Sequence, residues 1–147
     1  MIINGMENEK KIYTGGTFDL FHYGHVNLLK QCKKIGNVTV ALNTDEFITQ
    51  YKGMPPVMSY SERRAVLLSC RYVDKVIPNI GGSDSKPAIL LTMPDFIVVG
   101  DDWAKRDYYQ QMNFTQEWLD LHNITLLYTP YKQGISTTDI KERLKNV

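Results

Sequence analysis

The sequence predicts one α/β domain built on a doubly wound parallel sheet of five strands. Its 147 residues match the ~150 residues of an average single domain. Five short apolar runs recur along the chain, and segments of helical period separate them. This alternation is the pattern of an open parallel sheet with right-handed crossovers. Because no internal repeat or linker divides the chain, we expect the domain to span residues 11–147, after an N-terminal extension of residues 1–10.

The strands are predicted from apolar runs rich in Val, Ile and Tyr. Most of these runs lack regular polar alternation, which is typical of strands buried on both faces of a parallel sheet. In chain order, the predicted strands are Lys11–Thr14, Val38–Leu42, Val73–Ile77, Phe96–Val99 and Ile124–Tyr128.

Two connections carry clear helix signals. After the first strand, a helix that ends near Gly36 is predicted from an apolar stripe of Leu28, Leu29, Cys32 and Ile35. Further along, Ser59 and Glu62 have the spacing of a capping box, in which each side chain satisfies a backbone amide of the other residue. We assign the buried face of that second helix to Ala65, Val66, Leu67 and Leu68.

Three more helices are expected in the second half of the chain. One covers Ser83–Thr92, where Pro87 is tolerated only near the first turn. Another runs from about Asn113 to His122. The last begins at Ser136 or Thr137 and buries Ile140 and Leu144.

Composition excludes several classes of protein. Seventeen Lys and Arg against sixteen Asp and Glu leave a formal net charge of +1, so no global field attracts nucleic acid or an acidic membrane. No apolar run approaches the ~20 residues of a membrane span. Cys32 and Cys70 lie in predicted helices, which favours buried, reduced thiols and a cytoplasmic location over a disulfide framework.

The loop after the first strand is the first candidate site, because ligands of parallel sheets bind beyond the carboxyl ends of strands. It contains Gly15 and Gly16, then His22 and His25 at the start of a helix. A glycine turn and a helix N-terminus together form an anion site, to which the imidazoles add donors. A purely structural turn is the alternative. A zinc site is disfavoured, since no cluster at ligand spacing accompanies the histidines, and the dinucleotide and Walker patterns are both absent.

Four motifs in order resemble the cytidylyltransferase family. Gly16-Thr17-Phe18-Asp19 with His22-Tyr23-Gly24-His25 is similar to the family signature. Arg71–Asp74, Gly100–Trp103 and Gly134–Thr138 resemble segments of its glycerol-3-phosphate cytidylyltransferases. Ordered motifs in a strand-loop-helix context are more specific than any one of them alone. The resemblance implies a Rossmann-like fold of the HxGH nucleotidyltransferase type.

The reaction implied by this resemblance is attack of a phosphomonoester oxygen on the α-phosphorus of CTP. Pyrophosphate leaves and a CDP-alcohol forms, with glycerol 3-phosphate as the expected acceptor and a teichoic-acid-like or capsular polymer as the destination. A phosphomonoester has a second pKa near ~6, so the nucleophile is already ionised at neutral pH. Catalysis then consists of aligning two polyanions and stabilising the charge that develops on the phosphates.

The resemblance also implies residue roles. His22, His25 and Lys52 are the expected catalytic residues, and a solvated surface lysine is the alternative for Lys52. Mg²⁺ is expected with the CTP phosphates rather than on a dedicated set of protein ligands, although Asp101 or Asp102 could help to hold it. The partners are CTP and a small phosphomonoester, with no nucleic acid and no membrane, and the chain is expected to form a homodimer. The expected CTP-binding residues are Gly16, Thr17, Phe18, Asp19, Tyr23, Gly24, Arg71, Gly100, Asp101, Lys132, Gly134, Ile135, Ser136 and Thr137, and the expected acceptor-binding residues are Lys52, Lys86, Asp102 and Trp103.

Simpler interpretations stand beside several of these roles. Ser136 is also a plain N-cap, Arg71 and Asp74 are also an ordinary surface pair, and an isolated Trp103 is typical of a core.

The chain departs from the family pattern at two places. Tyr131, Lys132 and Gln133 precede Gly134 where the family usually carries an arginine, and Lys132 offers a point charge instead of a bidentate fork. The segment 104–123 is longer than in short family members. These departures leave open another acceptor (phosphocholine, phosphoethanolamine or a phosphorylated amide) or another nucleotide. From a different class, a non-catalytic nucleotide-binding module is the alternative.

Overall fold

A computed structural model describes residues 9–101, 107–130 and 135–147. The strands are β1 (Lys10–Gly16), β2 (Gly36–Leu42), β3 (Lys75–Pro78), β4 (Phe96–Gly100) and β5 (Thr125–Thr129). The helices are α1 (Tyr23–Ile35), α2 (Asp45–Lys52), α3 (Tyr60–Ser69), α4 (Lys86–Thr92), α5 (Tyr108–Met112), α6 (Gln116–Leu121) and α7 (Thr137–Leu144).

The five strands form one parallel sheet in the order β3-β2-β1-β4-β5. The chain therefore builds outward from β1 to β3 in one direction and then returns to add β4 and β5 on the other side of β1. The strand order reverses between β1 and β4, and in open parallel sheets such a switch point opens a crevice at the carboxyl ends of the strands. The predicted parallel α/β fold is confirmed, and its crevice falls at the predicted glycine loop.

Helices cover both faces of the sheet, as a doubly wound fold requires. On one face, Ile12 and Val40 pack with Leu29 of α1 and Leu67 of α3. On the other face, the neighbouring residues Tyr13 and Ala41 pack with Ile89, Tyr108 and Leu119 from α4, α5 and α6. Successive residues of a strand point to opposite faces, so each central strand contributes to both core layers.

Several elements differ from the sequence prediction; α4, for example, begins at Lys86 instead of Ser83. Helix α2 was not predicted, although Thr44 caps its N-terminus by accepting a hydrogen bond from the Phe47 amide at 3.2 Å. The helix expected at 113–122 is shorter and covers only α6, Gln116–Leu121. Helix α5, which was not predicted, precedes it and ends where Asn113 adopts a left-handed conformation with φ of 60°. Strand β3 begins at Lys75 instead of Val73, which packs into the core from the preceding turn.

The capping box at the start of α3 is confirmed: the Glu62 amide donates to Ser59 Oγ at 3.3 Å, and the Ser59 amide donates to Glu62 Oε1 at 2.9 Å. The predicted buried face of α3 is only partly correct, because Ala65 and Leu68 are exposed.

Both cysteines are free thiols. Burial raises the pKa of Cys32 to about 12, so this thiol stays protonated. Cys70 is half-buried just beyond the end of α3. Across the described ranges, no helix is long and apolar enough to cross a membrane.

Gly36 joins α1 directly to β2 without a loop. It pairs with Lys10 across the β1–β2 ladder, and a Cβ atom at this position would lie 2.1 Å from the Lys10 carbonyl oxygen. Since the neighbouring atom is backbone, relief requires a shift of the whole strand.

We predict that Gly36→Ala lowers the free energy of unfolding by about 2 kcal/mol, the scale of overpacking a well-packed site. Chemical denaturation measures the change. Asn37→Ala, at the next position of β2, is the control and should have the smaller effect. Equal stabilities for the wild type and Gly36→Ala would contradict the proposed clash.

Candidate active site

Two cavities meet at the carboxyl end of β1. The first, here named the histidine cavity, has a volume of about 230 Å³ and is lined by the start of α1, including His22 and His25, and by the start of α7. The second, here named the asparagine cavity, has a volume of about 290 Å³ and is lined by Asn43, Asn79, Lys52 and other residues. The cavities share Gly15, Gly16, Thr17 and Val99, so the glycine loop forms the boundary between them.

The two histidines of the loop are held by backbone amides. His22 is the N-cap of α1, and its Nδ1 atom accepts a hydrogen bond from the Gly24 amide at 3.0 Å. Nδ1 of His25 accepts one from the His22 amide at 3.2 Å. Because a backbone N–H can only donate, Nδ1 must be the unprotonated nitrogen of each ring. Each neutral imidazole therefore carries its proton on Nε2.

Both imidazoles are uncharged near neutral pH. Burial, with a smaller contribution from His22, lowers the pKa of His25 to about 3. Burial also lowers the pKa of His22 below its ordinary value. The rings stack with their centroids 3.7 Å apart, a spacing that two imidazolium ions would oppose. The pair therefore supplies two neutral N–H donors to the cavity.

Packing fixes the orientation of these rings. His25 lies against Phe18 and Phe21, with ring centroids 5.0 Å and 5.6 Å away. A Cβ atom at Gly24 would lie 2.9 Å from Cε1 of His22, so only glycine leaves that ring in place. Phe18 and Leu20 have φ angles of 51° and 52°, in the left-handed region that costs energy for residues with a side chain.

Asp19 anchors the loop. Its buried carboxylate accepts hydrogen bonds from the amides of Val57 at 2.7 Å, Met58 at 2.9 Å and Leu20 at 3.1 Å. Its carbonyl oxygen accepts a hydrogen bond from the Thr137 hydroxyl at 2.8 Å. Asp19 thus holds the loop through its carboxylate and α7 through its carbonyl oxygen, and its contact with CTP stays a prediction.

Arg63 is the main residue that the sequence analysis missed. Its side chain is completely buried beneath the site. The guanidinium donates to the carbonyl oxygens of Thr17 and Asn43, both at 2.9 Å, to that of Met58 at 3.0 Å, and to Asp45 Oδ1 at 2.7 Å. It thus joins the glycine loop, the end of β2 and the start of α3. The sequence did contain a signal for its burial, because Arg63 lies four residues before the buried Leu67 and therefore on the same face of the helix.

Lys52 and Lys141 place cations beside the histidines. A third cavity of about 200 Å³ between α2 and α7 is lined by both lysines together with His25 and Thr137. Lys52, the last residue of α2, also lines the asparagine cavity and is exposed. Lys141 was not predicted, although it follows Thr137 by four residues and so shares its face of α7.

The structure brings most of the predicted residues to these cavities. The Ser136 hydroxyl accepts a hydrogen bond from the Asp139 amide at 3.0 Å, so this residue is an N-cap that also lines the histidine cavity. Ile135 lies beside Gly24, Tyr23 is the exposed first residue of α1, and Asp101 directly follows Gly100. The predicted residues that line the histidine cavity are Gly16, Thr17, Phe18, His22, Gly24, His25, Gly100, Ser136 and Thr137.

Two other predicted residues, Arg71 and Lys86, make contacts away from both cavities. Arg71 precedes β3 and so lies toward the amino end of the sheet, where its exposed guanidinium donates to the Tyr72 hydroxyl at 3.1 Å. Lys86 begins α4, and its ammonium group pairs with Asp84 at 3.0 Å and with the Asn113 carbonyl. The predictions for Asp102, Trp103, Lys132 and Gly134 fall outside the described residues.

A parallel sheet with a glycine loop and neutral histidine donors at its switch point defines a nucleotide-binding α/β protein. The chain belongs to the cytidylyltransferase-like family, whose family model matches residues 13–143.

Individual relatives agree with this assignment. The chain is 39% identical over 136 residues to a glycerol-3-phosphate cytidylyltransferase of Bacillus subtilis, covering 92% of this chain and 97% of the relative. It is 31% identical to a FAD synthase of Pyrococcus horikoshii, with 97% of each chain covered. Among solved structures, a lipopolysaccharide core biosynthesis protein of Thermoplasma volcanium superposes with a TM-score of 0.68 at 25% identity, covering 85% of this chain and 100% of that one.

We predict that Arg63→Met lowers the free energy of unfolding by about 3 kcal/mol, because buried carbonyl oxygens and Asp45 lose their donor. The neighbouring exposed residue supplies a matched control, since Arg64→Met should change stability by less than about 0.5 kcal/mol. Denaturant titration of both variants measures the difference. Similar stabilities for the two variants would contradict the role given to Arg63.

A pH titration of stability tests the burial of His25. Its pKa is about 3 in the folded chain, against about 6.5 for an unfolded histidine. Between these values the unfolded state binds the extra proton, so stability falls as the pH is lowered from 6.5. We predict that His25→Gln reduces this slope by up to about 1.4 kcal/mol per pH unit. Unfolding curves at several pH values between 4 and 7 measure it, and an unchanged slope would contradict the prediction.

Proposed function

We propose that this protein transfers CMP from CTP to glycerol 3-phosphate, forming CDP-glycerol and pyrophosphate. The observation that carries the proposal is the neutral histidine pair on a glycine loop shared by two cavities. Similarity to a glycerol-3-phosphate cytidylyltransferase along 97% of its length supports the choice of substrates. Two polyanionic substrates need adjoining sites, and these cavities adjoin at the end of β1.

CTP occupies the histidine cavity in this proposal. The Nε2–H groups of His22 and His25 donate to phosphate oxygens, and the start of α7 adds the positive end of a helix dipole. Lys52 and Lys141 supply compensating charge from the third cavity. Neutral imidazoles suit this role because their hydrogen bonds to the phosphate oxygens become stronger as negative charge develops on those oxygens. The rings do not have to gain or lose a proton.

The acceptor phosphate approaches from the asparagine cavity, across the glycine loop. Its ionised oxygen forms a bond to the α-phosphorus of CTP, while the bond from that phosphorus to the β-phosphate oxygen breaks and pyrophosphate leaves. The phosphomonoester is already ionised at neutral pH, so the chain needs no general base. The work of the residues is to align two polyanions, and Lys52 at the edge of both phosphate sites favours their approach.

Several finer properties belong to the same proposal. Mg²⁺ binds with the triphosphate, where it neutralises phosphate charge. The described residues contain no group of three or more His, Cys, Asp or Glu that could hold a metal ion. In this proposal phosphate oxygens and water would hold the ion, with Asp101 next to the cavity wall. We also propose a cytoplasmic homodimer that supplies CDP-glycerol for cell-wall or capsule polymers.

The proposal could also differ in the nucleotide that the protein uses. The FAD synthase of Pyrococcus horikoshii matches the chain over 97% of its length, so a different nucleotide is the specific alternative. A non-catalytic nucleotide-binding module is the alternative from another class.

We predict that the purified protein releases pyrophosphate from CTP when glycerol 3-phosphate is present, and releases less from ATP, GTP or UTP. Coupled pyrophosphate detection across the four nucleotides and a panel of phosphomonoesters measures this. His25→Ala should lower the rate on the order of 10²- to 10³-fold, as loss of an oxyanion donor does. Release with no substrate pair would favour the binding module, and a preference for ATP would favour the other nucleotide.

Gly24→Ala tests the placement of His22 without removing either histidine. Alanine is favourable in a helix, so stability should be nearly unchanged. The added Cβ displaces the His22 ring, and we predict a loss of kcat of about 10- to 100-fold, since small misplacements are costly in catalysis. Lys34→Ala, on the exposed face of the same helix, should retain wild-type kcat. A wild-type rate in Gly24→Ala would show that the ring position is not critical.

A further inference from the structure

Asn79 is buried at the end of β3 and is held in one orientation. Only 8% of the residue is exposed. Its backbone amide donates to the Leu42 carbonyl at 2.9 Å, which extends the ladder between β2 and β3. Its side-chain Nδ2 donates to Asn43 Oδ1 and to the Gly82 carbonyl, both at 2.9 Å. These bonds use both protons of the amide nitrogen and fix the direction of the carbonyl oxygen.

That carbonyl oxygen, Asn79 Oδ1, is buried and has no hydrogen-bond partner within the described ranges. Buried polar atoms are nearly always satisfied, because an unpaired acceptor loses the hydrogen bonds that water would provide. Asn79 lines the asparagine cavity, which is where the acceptor binds in the proposed function. A donor group on the acceptor would satisfy this oxygen.

The lining of the asparagine cavity indicates which donor. No Asp or Glu occurs among the described residues that line it, whereas Lys52 brings a positive charge to the cavity. An ammonium group on the acceptor would meet a lysine without a counter-charge. A neutral hydroxyl group has no such cost, and the cavity offers hydroxyl and amide groups on Ser83, Tyr108 and Gln111. The lining therefore favours an uncharged, hydroxylated acceptor.

If the phosphate of the acceptor faces CTP, the rest of the acceptor must extend away from the glycine loop into the asparagine cavity. The glycine loop shared by both cavities is the reacting end of the asparagine cavity. Asn43 lies between that loop and Asn79, because its Nδ2 donates to Thr17 Oγ1 at 3.1 Å while its Oδ1 accepts from Asn79. Asn79 is thus one residue further from the reacting end, where the alcohol part of a small phosphomonoester extends.

We propose that Asn79 determines acceptor specificity by accepting a hydrogen bond from a hydroxyl group of the acceptor. The acceptor class is then a polyol phosphate and not an amino-alcohol phosphate. This inference rests on the proposed cytidylyl transfer and adds to it the residue that selects the acceptor. This arrangement discriminates between acceptors with and without the hydroxyl group, because an acceptor that lacks it leaves the buried Asn79 Oδ1 atom unpaired.

The test compares acceptors and variants in one assay of CDP product formation. The wild type should use glycerol 3-phosphate with a kcat/KM at least about 10-fold above that for propyl phosphate, which lacks both hydroxyls. Asn79→Leu keeps the side-chain shape and removes the oxygen together with the Nδ2 donor, whose loss affects all acceptors alike. It should lower kcat/KM about 10-fold for glycerol 3-phosphate and less than about 3-fold for propyl phosphate. A merely structural role would lower both values equally and would overturn the inference.

Two further variants keep the inference testable if Asn79→Leu folds poorly. Asn79→Asp retains the shape but adds a negative charge, so it should raise kcat/KM for phosphoethanolamine relative to glycerol 3-phosphate by at least about 10-fold. Asn37→Leu, at the opposite end of the neighbouring strand, is the matched control and should leave both ratios unchanged. Unchanged ratios in Asn79→Asp, or a wild type that does not distinguish propyl phosphate, would overturn the inference.

These outcomes separate the inference from the proposed function. If no acceptor yields a CDP product with the wild type, the proposed function fails. If CDP-glycerol forms but the Asn79 variants keep the wild-type acceptor ratios, only the inference fails.

Discussion

The buried guanidinium of Arg63 is the interaction on which the site depends. Its donors reach carbonyl oxygens from the glycine loop, the end of β2 and the segment before α3, and its fourth partner is Asp45 at the start of α2. These segments are far apart in the chain, and this one cation contacts all of them. A neutral side chain could not satisfy so many acceptors at once, and a flexible lysine lacks the planar fork that reaches them.

Hydrogen bonds from neighbouring segments explain how the glycine loop can keep an unfavourable backbone conformation. Phe18 and Leu20 both have positive φ angles, and such strain persists only where the surroundings over-determine it. Asp19 lies between them and fixes the loop through hydrogen bonds to Val57 and Met58. Arg63 holds the carbonyl oxygen of Thr17 on one side of the strained residues, and the cap of α1 holds the other side. The imidazoles are therefore positioned before any ligand arrives, which is the condition for electrostatic preorganisation.

The sequence predicted the sheet, the histidine loop and the start of α7, because each of these has a local signature. Apolar runs identify buried strands, and the glycine-to-histidine segment places a helix N-terminus directly after a strand. Arg63, Asn79 and Lys141 were missed for one physical reason: each contacts groups or lines a cavity formed by distant segments of the chain. The charge of Arg63 suggested solvent, and only its partners show why it is buried. The anchoring role of Asp19 was missed for the same reason, since its backbone partners are almost forty residues away.

The distribution of charge around the cavities follows from the reaction that we propose. Two polyanions must approach each other, yet the chain as a whole carries a formal charge of only +1. Positive charge is therefore local, at Lys52 and Lys141 beside the histidines, while the imidazoles themselves stay neutral through burial. If the imidazoles were charged in the free protein, their mutual repulsion at 3.7 Å would oppose the stacked arrangement that aims both rings. Burial therefore keeps the two rings in their stacked arrangement, and Lys52 and Lys141 supply the electrostatic attraction for phosphate that the neutral rings lack.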